Sequence, residues 1–323
     1  MGAFIARRAT WAIVVLIAIS ILVFLIFFGI PGIDPARALA GRNPDPATLA
    51  AIRHEFGLDR PLPVQYVLMM KHLFISHDLV SYTNRGVRVI PEIIQAAPVT
   101  FSLVIGAAVI WVFGSIVMGL VAAVFRGTMI DPLLMGFGLV GISMPVFWLG
   151  EVVNLVTQSR AHNFFLFSWV PPLGYTPFAQ DPLLWFEHLV IPWLVLSVGF
   201  VGLYARVLRS SLIEVQSEDY VRTARAKGLS ERRVLVRHVL RTSMITFVSL
   251  FGLDFGALVG GGVVLVEVVF GLPGIGLLTF QSASGLDLPV IMATVMYGAF
   301  FIVLANTLVD IGYAALDPRI RRA

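Results

Sequence analysis

Five stretches of this chain run uncharged for most of a bilayer's thickness: Ala9 to Ile30, Val99 to Phe125, Pro132 to Gly150, Leu189 to Ala205 and Leu288 to Val309. A sixth, Thr242 to Val266, is interrupted only by Asp254. A helix needs about 20 apolar residues to cross the hydrocarbon core, so the pattern predicts an all-α membrane protein with six transmembrane helices. The third and fourth stretches are short, and their helices are expected to run past Glu151 and His188. The first is too long for the ~7–15-residue core of a secretory signal and reads as a membrane anchor.

Between these stretches the spacing changes. Asn43-Pro44-Asp45-Pro46 is a turn in which Asp45 caps a helix opening at Pro46. Ala47 to Phe56 has helical spacing, Gly57 stops it, and Gln65 to Ile75 resumes with an amphipathic pattern. Thr157 to Glu187 is rich in aromatic residues and proline, which suits an interfacial belt and, as the alternative, a cap over a substrate route or a contact for an external partner. Further on, Ser217 is placed to cap a short helix with Glu218 and Asp219 at its positive end. Tyr220, Val221 and Ala224 fall on one side of it, Arg225 and Lys227 stand at its negative end, and Gly228 supplies a left-handed stop. Ser230 caps a second helix that opens at Glu231 and carries Arg232, Arg233, Arg237, His238 and Arg241 up to the next span. The expectation is two short helices joined at a glycine elbow. The chain then divides into an N-terminal anchor span (1–30), an external segment with short helices (31–97), a five-span core (98–312) containing the elbow loop (211–241), and a tail (313–323).

Cations set the orientation. With the N-terminus inside, fifteen of the 23 Lys and Arg residues fall on the cytoplasmic side, nine of them between Arg206 and Arg241, while the short outer loops hold only Arg160. Positive charge in short loops marks the cytoplasmic face, so both termini are expected inside.

Composition narrows the function. The chain is 58% hydrophobic and 13% charged, with a mean hydropathy of +0.90, where a soluble domain carries about 25% charged residues. The absence of cysteine excludes disulfides and thiolate metal sites. No Gly-x-x-x-x-Gly-Lys-Ser/Thr phosphate loop occurs. The histidines, at 54, 72, 77, 162, 188 and 238, fall outside the spans or at their edges, and none pairs at zinc-binding spacing within one. An intramembrane hydrolase is disfavoured, and no catalytic or metal site is expected. A secondary carrier or channel would fit six spans but leaves the elbow unexplained.

The residues of the elbow carry a resemblance. Glu218-Asp219-Tyr220-Val221-Arg222-Thr223-Ala224-Arg225-Ala226-Lys227-Gly228-Leu229-Ser230 is similar to the cytoplasmic "EAA" loop of ABC importer permeases, in the form typical of peptide and nickel systems. Phe56-Gly57-Leu58-Asp59-Arg60-Pro61 with Val64-Gln65-Tyr66 resembles the external segment of the B-type subunit, and Tyr313-Ala314-Ala315-Leu316-Asp317-Pro318-Arg319-Ile320-Arg321 resembles its C-terminus. Three departures stand out. Arg222-Thr223-Ala224 replaces the general Glu-Ala-Ala, Thr246 stands where a proline is usual near the start of the fifth span, and His77-Asp78-Leu79-Val80 lacks the common Gly-Asp-Leu-Gly.

The resemblance implies the type I ABC importer permease fold in a bacterial cytoplasmic (inner) membrane. It implies the dipeptide/oligopeptide branch, with nickel, haem and sugar systems as near alternatives. Glu218, Asp219, Tyr220, Ala224, Arg225, Lys227, Gly228 and Leu229 would form a coupling helix docked in a cytoplasmic ATPase, with glycine and Ala224 allowing close approach. The implied partners are a homologous C-type permease, two ATP-binding subunits or one fused ATPase, an extracytoplasmic peptide-binding protein and the bilayer, with no nucleic acid. No cofactor is expected on this chain, since ATP and Mg²⁺ would be bound by the ATPases.

Two carboxylates lie within the apolar stretches. Asp254 falls near mid-depth of the fifth span and Glu267 near its outer end, where an ionisable group is costly unless it meets a cavity or a partner. Both are candidates for a translocation path. The competing reading makes Asp254 a structural anchor, for instance to Ser249 or Asn306. Gly252, Gly256 and Gly260 form a small-residue stripe for close helix packing, either between subunits or within the chain. Phe270 to Gly276 reads as a turn-rich outer loop or re-entrant segment.

Overall fold

The computed structural model describes residues 2–28, 35–40, 44–84, 86–158 and 167–316; Arg160, His162, Phe164, Phe165 and the tail from Asp317 lie outside them. In chain order its helices are α1 (Gly2–Phe28), α2 (Pro35–Ala40), α3 (Pro46–Glu55), α4 (Leu62–Lys71, prolonged by a π turn His72–Ser76), α5 (Val89–Val124), α6 (Ile130–Ser143) and α7 (Val146–Thr157). There follow α8 (Pro182–Gln216), α9 (Asp219–Ala226), α10 (Glu231–Val234), α11 (Arg241–Ala257), α12 (Val264–Phe270), α13 (Ile275–Gly285) and α14 (Leu288–Leu316). π turns at Leu235–Leu240 and Leu258–Gly262 make α10 and α11 one helical run from Glu231 to Gly262. Among the described residues the extended backbone pairs only at a bridge between Val80 and Arg88.

Five helical runs are long and apolar enough to cross a bilayer: those of α1, α5, α8, α10–α11 and α14. The third apolar stretch differs from the single helix expected, because α6 and α7 meet at 94°. Pro145 disfavours helical backbone at the residue before it, and Met144 is extended (φ −86°, ψ 125°). The stretch from Thr242 to Val266 differs too. Its helix ends at the π turn, where Gly261 takes φ 118°, and Glu267 therefore sits on the separate helix α12. A second bent pair, α12–α13, turns through 88° over Gly271-Leu272-Pro273-Gly274.

The chain folds as two compact units, one of residues 1–100, 256–268 and 273–323, the other of 101–255 and 269–272. In the first, α1 packs on α14, with an Arg8–Asp310 ion pair at 2.8 Å. Its core joins Val23 and Phe24 of α1 to Met69 of α4, to Leu73 of its π turn and to Val290 and Met292 of α14. Gly256 and Gly260 belong to this packing: a Cβ on Gly256 would collide with Ala305, and one on Gly260 would lie 2.8 Å from the Gly298 carbonyl. The stripe thus serves a contact within the chain, while Gly252 is half-buried.

In the segment after α1, α3 forms where the spacing places it, α4 starts at Leu62, three residues before the expected Gln65, and α2 is a short helix the spacing did not mark. Asp45 caps α3 by accepting from the Thr48 amide at 2.9 Å, and hydrogen bonding to Thr48 holds its carboxyl below the usual range. His77 adopts a left-handed conformation (φ 55°) at the position where the resembling family commonly has glycine. Asp287, just before α14 and nearly fully buried, gathers the next loop: its carboxylate accepts from the Ser81 hydroxyl and from the amides of Tyr82 (3.0 Å) and Thr83 (3.3 Å).

In the second unit, α6 lies against α8 through a glycine crossing, where Gly138 and Gly202 leave no room for a Cβ on either helix. Asp181 caps α8 by accepting from the amides of Leu183 and Leu184, so the helix starts seven residues before the apolar stretch. Arg209 closes the other end of the α6–α8 pair on Asp131 with two hydrogen bonds of 2.6 Å.

Candidate functional site

The elbow between α8 and the α10–α11 run is built from local signals. Ser217 ends α8 instead of opening α9: its hydroxyl donates to the Glu214 carbonyl at 2.6 Å, and the N-cap of α9 is Glu218. Ser230 does stand at the N-cap of α10, without a side-chain capping bond. The close of α9 follows the glycine signal. Gly228 has φ 78°, its amide donates to the Arg225 carbonyl at 2.9 Å, and the Leu229 amide reaches the Ala224 carbonyl at 3.4 Å. These are the paired 5→2 and 6→1 bonds of a Schellman ending, which needs a left-handed residue at this place.

Side chains then brace the turn. Arg225 Nε donates to Glu231 Oε1 at 3.0 Å, linking α9 to α10. The Tyr220 hydroxyl donates to Thr242 Oγ1 at 3.1 Å, linking α9 to α11. Val221 and Ala224 are buried, so Ala224 faces the chain's own packing and is not the small outward residue that close docking would use. The outward surface carries Asp219, Arg222, Thr223, Ala226, Lys227 and Gly228, with a loose 3.6 Å pair between Arg222 and Asp219. A Cβ on Gly228 would meet nothing within 4 Å, which leaves the elbow open to an incoming surface.

Both carboxylates that fall within the apolar stretches have protein partners. The Tyr204 hydroxyl donates to Asp254 Oδ2 at 2.5 Å, and Tyr204 is itself held edge-on by Trp111 and Phe247. Ser249 bonds back to the Ile245 carbonyl. Glu267 is fully buried. Thr100 donates to its Oε1 at 2.6 Å, and the Leu277 amide to its Oε2 at 3.0 Å. The N-cap of α13 is Gly274, without a side-chain capping bond, so Glu267 supplies the acceptor that the first turn lacks. A Cβ on Gly274 would collide with that carboxylate.

Tyr204→Phe keeps the ring packing and removes the hydroxyl that, among the described residues, donates to Asp254. Leaving a half-buried carboxylate short of a donor costs about 1–3 kcal/mol. Thermal unfolding of the purified protein in detergent should fall accordingly, while Asp254→Asn, which still accepts from Tyr204, should stay closer to wild type. Equal unfolding of Tyr204→Phe and wild type would remove this pair from the forces holding the unit.

The description "Binding-protein-dependent transport system inner membrane component" matches residues 115–322, and its N-terminal counterpart matches residues 1–104. A putative peptide transport system permease protein of Brucella abortus is 38% identical over 321 residues, covering 99% of each chain. A probable peptide ABC transporter permease protein of Sinorhizobium fredii is 36% identical over 323 residues, 99% of this chain and 100% of its own. A glutathione transport system permease protein of Salmonella paratyphi A is 36% identical over 318 residues, 98% of each.

Proposed function

Since this chain belongs to the family of binding-protein-dependent transport system inner membrane components, we propose that it is the permease subunit of an ATP-driven importer of short peptides. It forms half of the pathway across the membrane, with a homologous permease as the other half. The observation that carries this reading is the Schellman-closed elbow at Gly228, set within the residues matched by the family and joined to two long helices.

The elbow is suited to receive force. α8 and the α10–α11 run have 35 and 32 residues, each about 50 Å of helix. The Arg225–Glu231 and Tyr220–Thr242 bonds tie α9 to the second of them, so a push on α9 moves that helix as a body. ATPase subunits closing on ATP would supply the push and rock the spans between inward-open and outward-open states. ATP and Mg²⁺ belong to those subunits, and an extracytoplasmic binding protein would deliver the peptide. In this arrangement Glu218, Asp219, Tyr220, Arg225, Lys227, Gly228 and Leu229 shape or present the docking surface, with Ala224 anchoring it from within.

Topology supports the same reading. The cation-rich elbow shares a side with the N-terminus only if α6–α7 crosses as one broken span, which makes six crossings with α12–α13 re-entrant from outside. Positive charge at the elbow favours that arrangement. Asp254 is the remaining polar candidate for the pathway. Glu267 acts as the clamp of the re-entrant pair.

The test is reconstitution. Liposomes holding this chain alone should take up no labelled dipeptide. Liposomes holding it with the second permease, the ATPases and the binding protein should accumulate dipeptide when ATP is present. Uptake by the chain alone would make it a self-sufficient carrier and end the proposal.

A further inference from the structure

In the second unit α6 is held to α8 at two places. The first is their closest approach, where Gly138 and Gly202 leave no room for a Cβ and one on Gly141 would lie 3.1 Å from the Val198 carbonyl. Such a contact sets the distance between two helices, but it acts as a pivot, because a restraint at the crossing point has little lever arm against rotation. The second is the Asp131–Arg209 pair. Arg209 Nε donates to Oδ1 and Nη2 to Oδ2, each at 2.6 Å, a planar fork that fixes orientation as well as distance. The Arg209 and Asp131 side chains are only 24% and 10% exposed, so water and salt screen the pair less than they would a surface one.

Spacing gives the pair its leverage. Asp131 precedes Gly138 by seven residues and Arg209 follows Gly202 by seven, two turns or about 10 Å along each helix. A restraint that far from a pivot resists rotation of one helix on the other. Arg209 also lies on the helix that leads into α9, five residues beyond Tyr204, whose hydroxyl donates to Asp254 of α11. α8 is therefore bonded both to α11 and to α6.

We propose that Asp131 and Arg209 are positioning residues for transport: their ion pair is a permanent strut that fixes the angle between α6 and α8, so that a displacement entering at α9 carries α6 and α7 along with α8 and α11. The inference rests on the transport reading and deepens it, by naming the pair through which movement at the elbow reaches the broken span. Neither residue needs to touch peptide or nucleotide. The pair works by staying closed through the cycle, which sets it apart from a gate that must open.

The experiment measures dipeptide imported per ATP hydrolysed by the complete transporter in liposomes. Failure of the wild type to import ends the transport reading, and the strut with it; every other outcome bears on the strut alone. Arg209→Gln should go on hydrolysing ATP while import per ATP falls about 2- to 30-fold, the range of coupling carried by single positions. Arg209→Lys, which keeps the charge and loses the fork, should fall between Arg209→Gln and wild type. The chain has no cysteine of its own, so in Asp131→Cys/Arg209→Cys the two thiols can be joined by a short bismaleimide. Joining them should restore the import per ATP that the unjoined double variant loses. An unchanged ratio in Arg209→Gln, including one in which import and hydrolysis fall together, reduces the pair to a structural contact and overturns the proposal. A joined pair that still fails to import overturns it too, since a covalent tie blocks a gate and not a strut.

Discussion

Gly228→Asp is expected to leave the protein in the membrane and abolish ATP-driven uptake by the assembled transporter. The left-handed backbone at Gly228 (φ 78°) costs most residues with a Cβ about 1–2 kcal/mol, and aspartate and asparagine, which visit it more readily, less than that. Nothing lies within 4 Å of the added Cβ, so the chain itself does not clash and insertion should be normal. On the docking proposal the damage falls on the surface meant for the ATPase, where a carboxylate would protrude beside Lys227. Gly228→Asn separates the two causes, since asparagine tolerates the left-handed region and brings bulk without charge. Uptake should order as wild type, Asn, then Asp, with membrane levels equal. Wild-type uptake and peptide-stimulated ATP hydrolysis in Gly228→Asp would deny the elbow its docking role.

Glu267→Ala should be among the most destabilising single changes in the chain. It strips the acceptor from the buried Thr100 hydroxyl and from the partly buried Leu277 amide, at about 1–3 kcal/mol for an orphaned buried donor. Thr100 also accepts from the Ile275 amide at 2.9 Å, so losing its orientation loosens the first turn of α13 as well. Glu267→Gln keeps one carbonyl acceptor and should fall between the two. Thermal unfolding in detergent measures the order, and an alanine variant as stable as wild type would show that the α12–α13 bend holds without its clamp.

Much of this was legible in the sequence because the signals were local. Uncharged runs located every long helix, Asp45-Pro46 located the start of α3, and Gly228 located the elbow. Helix ends were less legible, because α5 and α8 begin in polar turns outside the apolar runs, and only the Asp181-Pro182 pair marks the latter. The break between α6 and α7 was visible as Pro145 but hidden by the apolar residues around it. Partners of buried polar groups were not legible at all. Tyr204 is 50 residues from Asp254 and Thr100 is 167 from Glu267, and no periodicity connects them. The same holds for Ala224, whose small side chain suits an outward docking face as well as the inward packing it has.

The carboxylate of Asp287 reaches back more than 200 residues to Ser81, Tyr82 and Thr83, and that separation orders events during synthesis. That loop leaves the ribosome early, yet this acceptor arrives only just ahead of α14. Until then its donors are served by water, and the N-terminal third waits in the membrane with that loop unsettled. A chain cut short before Asp287 would therefore lose more than its last helix: the segment beyond the first span would be left without the anchor that fixes its shape.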